Sequence, residues 1–315
     1  MTDNSASRRA TGGLGQTFGN YTFFHILAEG GMGVIFEAEH SIIHRKVALK
    51  IVSPKYAARE GFSPQLIDVF MHEAKVMGAV DHPNVVTLYD AGIVGQCPFL
   101  AMKLVTGGDL QGQVIKHGPL SADHALRLLR DCASGLQAVH AAGYISRDIK
   151  PANILIENNG NPRLSDFGVA VRIDAIPDDN MIAGTPSYLA PEQIHHQTLD
   201  LRSDLYSLGA TFWYLVTGKA PFDGGSPEEI LSLLMTATAA PPLDLGGSPK
   251  AKGLTQIIHH AMAFDPEKRY KNCDDIIHDC QAVLDGGEPD YALIGQKRKR
   301  TFFGSIIDRA TSFGL

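Results

Sequence analysis

Ala28-Glu29-Gly30-Gly31-Met32-Gly33-Val34-Ile35 is a glycine-rich turn whose backbone N–H groups can approach phosphate oxygens without side-chain obstruction. A glycine-rich hairpin with no ligand has the same composition, so the turn alone decides nothing. Downstream, Val47-Ala48-Leu49-Lys50 places one lysine in an apolar run, where a charge must find a partner or reach solvent. Glu73 is the candidate partner. Three further stretches concentrate acids, amides and turn residues: Ser146-Arg147-Asp148-Ile149-Lys150-Pro151-Ala152-Asn153-Ile154-Leu155, Leu164-Ser165-Asp166-Phe167-Gly168, and Gly184-Thr185-Pro186-Ser187-Tyr188-Leu189-Ala190-Pro191-Glu192.

In this order and at these separations, the segments resemble the eukaryotic-type (Hanks-type) protein kinases, above all the bacterial Ser/Thr branch with its Gly-Gly-Met-Gly loop. The resemblance covers roughly residues 21 to 284. It implies transfer of the ATP γ-phosphoryl group to Ser or Thr hydroxyls of protein substrates, with Mg²⁺ as cofactor and Mn²⁺ as its substitute. Such a transition state is loose and spreads negative charge, so the catalyst chiefly positions reactants and supplies positive charge. The resemblance assigns Lys50 to the α and β phosphates with Glu73 orienting it, and Asp166 and Asn153 to the metal through hard oxygens. Asp148 would accept or orient the hydroxyl proton, and Lys150 would neutralise the γ-phosphate. Ala28, Gly30 and Gly33 would form the phosphate loop. Ile35, Ala48, Met102 as gatekeeper, Val105 in the hinge and Leu155 would enclose the adenine, and Asp109 would touch the ribose. Thr185 is expected on Asp148 and Lys150, Glu192 and Arg269 as a buried ion pair, and Asp204 as a brace for the catalytic loop.

The elements that must hold these residues can also be read. β-branched and aromatic runs at 21–27, 34–40, 46–52, 85–91 and 97–103 predict a five-stranded antiparallel sheet. Ser63-Pro64 followed by Leu66, Val69, Phe70, Ala74 and Met77 predicts one helix interrupting it. After Gly107-Gly108 the period becomes helical: Leu126, Leu129, Ala133, Leu136 and His140 mark an amphipathic helix ending near Gly143. Residues 203–217 are apolar nearly all round, a helix buried on every side. The fold class is therefore α+β and bilobal: a sheet lobe over about 20–105 and a mainly helical lobe over about 106–285, with ligands between them. Residues 1–19 and 286–315 read as tails.

The chain has 315 residues, 44% hydrophobic and 20% charged, enough to bury a large core. With 28 Lys and Arg against 34 Asp and Glu, the net charge of -6 offers no global field for nucleic acid. No apolar run reaches the length of a membrane span, and residues 1–20 lack the apolar core of a secretory signal. Four cysteines without a Cys-x-x-Cys pair suggest reduced thiols and a cytoplasmic location.

The chain departs from the family pattern in places. Ala28 replaces the first loop glycine, and Ser146 replaces the histidine that packs beneath Phe167, which predicts a void or a water there. Residues 169–183 contain no Ser, Thr or Tyr, so Asp174, Asp178 and Asp179 are candidates for a fixed negative charge near Arg147. A pseudokinase that binds nucleotide or partners without phosphotransfer is the rival reading, and the complete reacting set disfavours it. Lys297-Arg298-Lys299-Arg300 followed by Phe302, Phe303, Ile306, Ile307, Ala310 and Phe313 suggests that 297–313 is a basic amphipathic helix suited to an anionic membrane surface or a partner groove.

Overall fold

A computed structural model describes residues 15–30, 32–176 and 183–292. The basic segment 297–313, Asp178 and Asp179 lie outside them.

The small lobe is built on a sheet of β1 (Thr17–Phe18), β2 (Tyr21–Glu29), β3 (Gly33–His40), β4 (Lys46–Val52), β5 (Leu88–Val94) and β6 (Cys97–Lys103). All neighbours are antiparallel, in the order β1-β2-β3-β4-β6-β5. The period of two divides each central strand: Val34, Phe36 and Ala38 with Val47, Leu49 and Ile51 are buried, while Ile35, Ala48 and Lys50 are only partly covered. Six strands stand where five were expected. The sixth is β1, a two-residue strand turned back on β2 through Gly19-Asn20, with Gly19 at φ 57°. Residues 15–19 therefore belong to the sheet, and not to a flexible tail ending at 19. Two helices, not one, separate β4 from β5: α1 (Pro54–Glu60) and α2 (Pro64–Gly78). The run at 85–91 is only partly a strand of this sheet, because Val85 bridges Leu164 and Val86 N donates to the Leu164 carbonyl, drawing this stretch toward the large lobe.

The large lobe contains α3 (Leu110–His117), α4 (Ala122–Ala141), β7 (Tyr144–Ile145), β8 (Ile154–Ile156), β9 (Pro162–Leu164) and β10 (Val171–Arg172). It continues with α5 (Pro191–Ile194), α6 (Arg202–Thr217), α7 (Pro227–Thr236), α8 (Pro249–Ala261) and α9 (Cys273–Leu284). Helix starts follow the capping rule: Ser63, Asp109, Ser121, Ser226, Ser248 and Asn272 each accept a backbone N–H three residues on. Each such cap contributes about 1 kcal/mol. α6 is buried from Ser203 to Trp213, as its all-round apolar pattern demands, and stops at Gly218 in the left-handed conformation. The chain after α9 is also held: Asp279, fully buried, accepts Tyr270 Oη and the backbone N–H groups of Asp290, Tyr291 and Ala292. Residues 290–292 are thus docked on the lobe, a correction to a tail beginning at 286. Among the described residues no helix is long and apolar enough to cross a membrane. All four cysteines are buried and unpaired.

Three partly buried histidines are expected to make the fold acid-sensitive. Burial holds His259 and His260 below their ordinary 6.5, and burial together with the Arg163 guanidinium does the same for His82. His82 Nδ1 accepts Asn84 N at 3.1 Å and His259 Nε2 accepts Leu243 N at 3.2 Å, bonds that protonation of those nitrogens removes. With folded values below the unfolded value, the unfolded chain takes up protons first as pH falls. The associated stability is complete above about pH 6.5 and is lost as pH drops through the depressed values. The melting temperature is therefore expected to be lower at about pH 5.5 than at about pH 7.5, and a rise on acidification would contradict this.

Candidate active site

Lys50 is carried by β4, and its side chain leaves on the sheet face shared with Ile35, Ala48 and Met102, since Ile35 opposes Lys50 and Ala48 opposes Met102. α2 brings Glu73 beneath this face. Lys50 Nζ lies 2.8 and 2.9 Å from the two Glu73 oxygens and 3.5 Å from Asp166 Oδ1. Burial alone would lower the Lys50 pKa, but the Glu73 and Asp166 carboxylates outweigh it and hold it above its ordinary range. The ammonium is thus fixed and charged at the edge of the cleft. Above it, Gly30 N donates to the Gly33 carbonyl at 2.8 Å, closing the turn. A Cβ on Gly33 would sit 3.4 Å from the Ile51 carbonyl oxygen, so this loop passes close to its own sheet. Ala28 is exposed on β2.

The loop between β7 and β8 carries Asp148, whose carboxylate is met by two donors of the same loop and by Thr185. Lys150 Nζ is 2.6 Å from Oδ2, Thr185 Oγ1 donates to Oδ1 at 2.9 Å, and Asn153 Nδ2 donates to Oδ2 and to the Asp148 carbonyl, both at 3.0 Å. Lys150 also donates to Thr185 Oγ1 at 2.9 Å, so the expected contact of Thr185 with both residues is present. Because its amide nitrogen is spent on Asp148, Asn153 turns its carbonyl oxygen away from that carboxylate. β8 pairs with β9 from Ile154 opposite Leu164, and Ser165 donates N–H and Oγ–H to the Asn153 carbonyl, at 2.9 and 3.0 Å. Asn153 and Asp166 therefore leave from the same end of one hairpin. An amide oxygen and a half-exposed carboxylate are hard donors that fit a divalent cation completed by phosphate and water oxygens.

Beneath the loop, Asp204 on α6 accepts Ser146 N at 2.8 Å, Arg147 N at 2.9 Å and His140 Nε2 at 2.8 Å. The brace expected of Asp204 is in place, and His140 is a third donor that helical spacing on α4 did not reveal. Ser146 is 1% exposed and its Oγ has no hydrogen-bond partner. Leaving a buried hydroxyl unpaired costs about 1–3 kcal/mol. Ser146→Ala, which keeps the backbone bond to Asp204, is expected to raise the melting temperature by a few degrees. An unchanged or lower value in a thermal melt would show that the hydroxyl is satisfied.

The hinge is strapped to the large lobe. Gly107 N donates to the Ile156 carbonyl and Ile156 N to that of Gly108, at 2.9 and 2.8 Å, while a Cβ on Gly107 would fall 2.2 Å from the Ile156 oxygen. Lys103 Nζ reaches Glu157 at 2.5 Å, Arg163 reaches the same oxygen at 2.6 Å, and Thr106 donates to Asn158. The hydrogen bond from Lys103, aided by Arg163 and opposed by burial, holds the Glu157 carboxyl below its usual range. Val105 and Leu155 are partly buried, and Met102 is buried. Asp109 caps α3 through Oδ1, accepting Gly112 N at 2.8 Å, and its backbone bridges Leu155. Asp174 does not serve Arg147: its carboxylate pairs with Arg172 at 2.7 and 2.8 Å on the surface. The Glu192–Arg269 pair is present and buried, with contacts of 2.6 and 2.7 Å.

The chain is similar to proteins already known. The family described as protein kinase domain matches residues 21–280. Serine/threonine-protein kinase PrkC of Bacillus subtilis is 33% identical over 269 residues, 85% of this chain and 41% of the relative. Serine/threonine-protein kinase PknA of Mycobacterium tuberculosis is 33% identical over 278 residues, 86% of this chain and 63% of the relative. Serine/threonine-protein kinase PknH of Mycobacterium bovis is 32% identical over 298 residues, 93% of this chain and 48% of the relative. The chain thus spans less than two thirds of the length of each of these relatives.

Proposed function

Because this chain belongs to the protein kinase family, we propose that it transfers the γ-phosphoryl group of ATP to Ser and Thr hydroxyls of protein substrates, with Mg²⁺ as the preferred cation and Mn²⁺ as its substitute. The observation that carries this reading is the Asp148 carboxylate, held at once by Lys150 and Asn153 of its own loop and by Thr185 from the stretch before α5.

Each residue then has a stated task. Lys50, kept charged by Glu73, binds the α and β phosphates. Asn153 and Asp166 hold the divalent cation, which when bound neutralises charge on the phosphate oxygens. Asp148 orients the attacking hydroxyl and receives its proton, and Thr185 keeps that carboxylate from rotating. Lys150, two residues away on the same loop, meets the negative charge that spreads over the transferring group. Ile35, Ala48, Met102, Val105 and Leu155 supply the apolar walls for the base, with Asp109 at the ribose. The Asp-Ile-Lys-Pro-x-Asn spacing, with Lys150 bonded to Thr185, favours Ser and Thr over Tyr as acceptors.

The test is transfer from γ-labelled ATP with Mg²⁺ to the protein itself and to a generic basic protein, for wild type and Asp166→Asn, followed by phosphoamino acid analysis. Label on Ser and Thr that disappears in the variant is expected. Label on Tyr overturns the acceptor class. No transfer by the wild type, alongside thermal stabilisation by nucleotide, would instead identify a nucleotide-binding module without phosphotransfer.

A further inference from the structure

Directly before Glu73 on α2 stands His72, whose Nε2 lies 2.7 Å from the backbone carbonyl oxygen of Ala170. A carbonyl can only accept, so Nε2 carries the proton and donates. Ala170 is 3% exposed and lies four residues beyond Asp166. The His72 ring also meets Tyr144 edge-on, with centroids 6.4 Å apart at 74°. Tyr144 opens β7, opposite Arg172 of β10, and Ile173 N donates to the Gly143 carbonyl. β7 leads straight into the loop that carries Asp148. One side chain of a small-lobe helix is therefore bonded to a segment that is itself strand-paired to β7, the strand that leads into the reacting loop.

We propose that His72 is a positioning residue whose hydrogen bond to Ala170 holds α2 in place, keeping Glu73 on Lys50 without a phosphorylated residue in 169–183. The proposal rests on the phosphotransfer reading above. α2 meets the rest of its lobe through Leu66, Phe70, Val76 and Met77, and apolar burial of this kind does not by itself fix the rotation of a helix. Directional restraint comes from Glu73 on Lys50 on one side and His72 on Ala170 on the other. Residues 169–183 contain no hydroxyl that could be phosphorylated. Asp174, the described acid among them, is committed to Arg172. The restraint that a phosphorylated loop would supply is met here by a hydrogen bond that is already made.

Two variants separate the bond from the ring. His72→Phe keeps the aromatic contact with Tyr144 and removes the donor, whereas His72→Gln restores a donor of similar reach. With ATP, Mg²⁺ and a generic basic protein as substrate, His72→Phe is expected to lower kcat roughly ten- to hundredfold. KM for ATP should stay within about twofold, and His72→Gln should recover most of the loss. A merely structural role would reduce the folded fraction in a thermal melt and would not be rescued selectively by Gln. Amide hydrogen exchange across 64–78 in the absence of nucleotide reads the restraint without any chemistry, and it should accelerate in His72→Phe but not in His72→Gln. If the wild type transfers no phosphate while exchange responds in this way, the phosphotransfer reading falls and the positioning role stands. If His72→Phe matches wild type in both kcat and exchange, the positioning role falls. Phosphatase-treated wild type should keep its activity, and a collapse would overturn the independence from phosphorylation.

Discussion

Asp148→Asn is expected to lower phosphoryl transfer by about 10²–10⁴-fold at saturating ATP while leaving KM for ATP near the wild-type value. Asparagine keeps the shape of the side chain and an oxygen to accept Thr185 or Lys150, so the loop geometry persists. What it loses is the basic oxygen proposed above to take the hydroxyl proton. It also loses the anion that sets Lys150, 2.6 Å away, at the reacting centre. Asp148 and Lys150 are 11% and 23% exposed, so their attraction is partly screened and the melting temperature should fall by only a few degrees. Initial rates across an ATP series together with a thermal melt separate the two effects. A rate within about tenfold of wild type would remove Asp148 from the proton transfer.

The candidate reacting groups are legible because phosphate chemistry restricts side-chain type and spacing within short loops. Lys50 in an apolar strand, Asp148 with Lys150 and Asn153, and Asp166 before Phe167-Gly168 all declare themselves locally. The start of α2 is legible for the same local reason, through Ser63 followed by Pro64. What escaped is either too short for a period or distant in sequence. β1 has two residues, and only its Gly19-Asn20 turn betrays it. α1 carries the same Ser-Pro signal as α2 but has no buried residue, so no apolar stripe marks it. The run at 85–91 is β-branched enough to read as one strand, yet part of it is spent on β9. His72 and His140 bond to partners 98 and 64 residues away, and nothing in the pattern of a helix says which of its polar residues will be met by another element.

Arg269→Met and Glu192→Gln are expected to destabilise the fold most, by about 3–5 kcal/mol, with the arginine variant at the upper end. The arginine side chain is fully buried, and all five of its N–H groups are used. Nη1 donates to Glu192 and the Arg202 carbonyl, Nη2 to Glu192 and the Phe264 carbonyl, and Nε to the Ala263 carbonyl. Glu192 Oε1 also accepts Ser203 Oγ at 2.7 Å. Methionine at 269 would leave one buried carboxylate and three carbonyls without these donors, whereas glutamine at 192 removes the charge but keeps an oxygen for Ser203 and Arg269. A paired replacement of both residues by apolar ones can be harmless where an ion pair stands alone. Here it should not be, because the three carbonyls remain unmet. Lysine at 269 should not rescue either, since three donors on a flexible stem cannot replace five in a planar fork. At about 2–4 °C per kcal/mol, the single variants should melt some 6–20 °C lower. α5, which carries Glu192, follows the stretch from Thr185 to Leu189, so loosening it also releases the residue that steadies Asp148. Melting temperatures within about 2 °C of wild type for both single variants would show that the pair is dispensable to the fold.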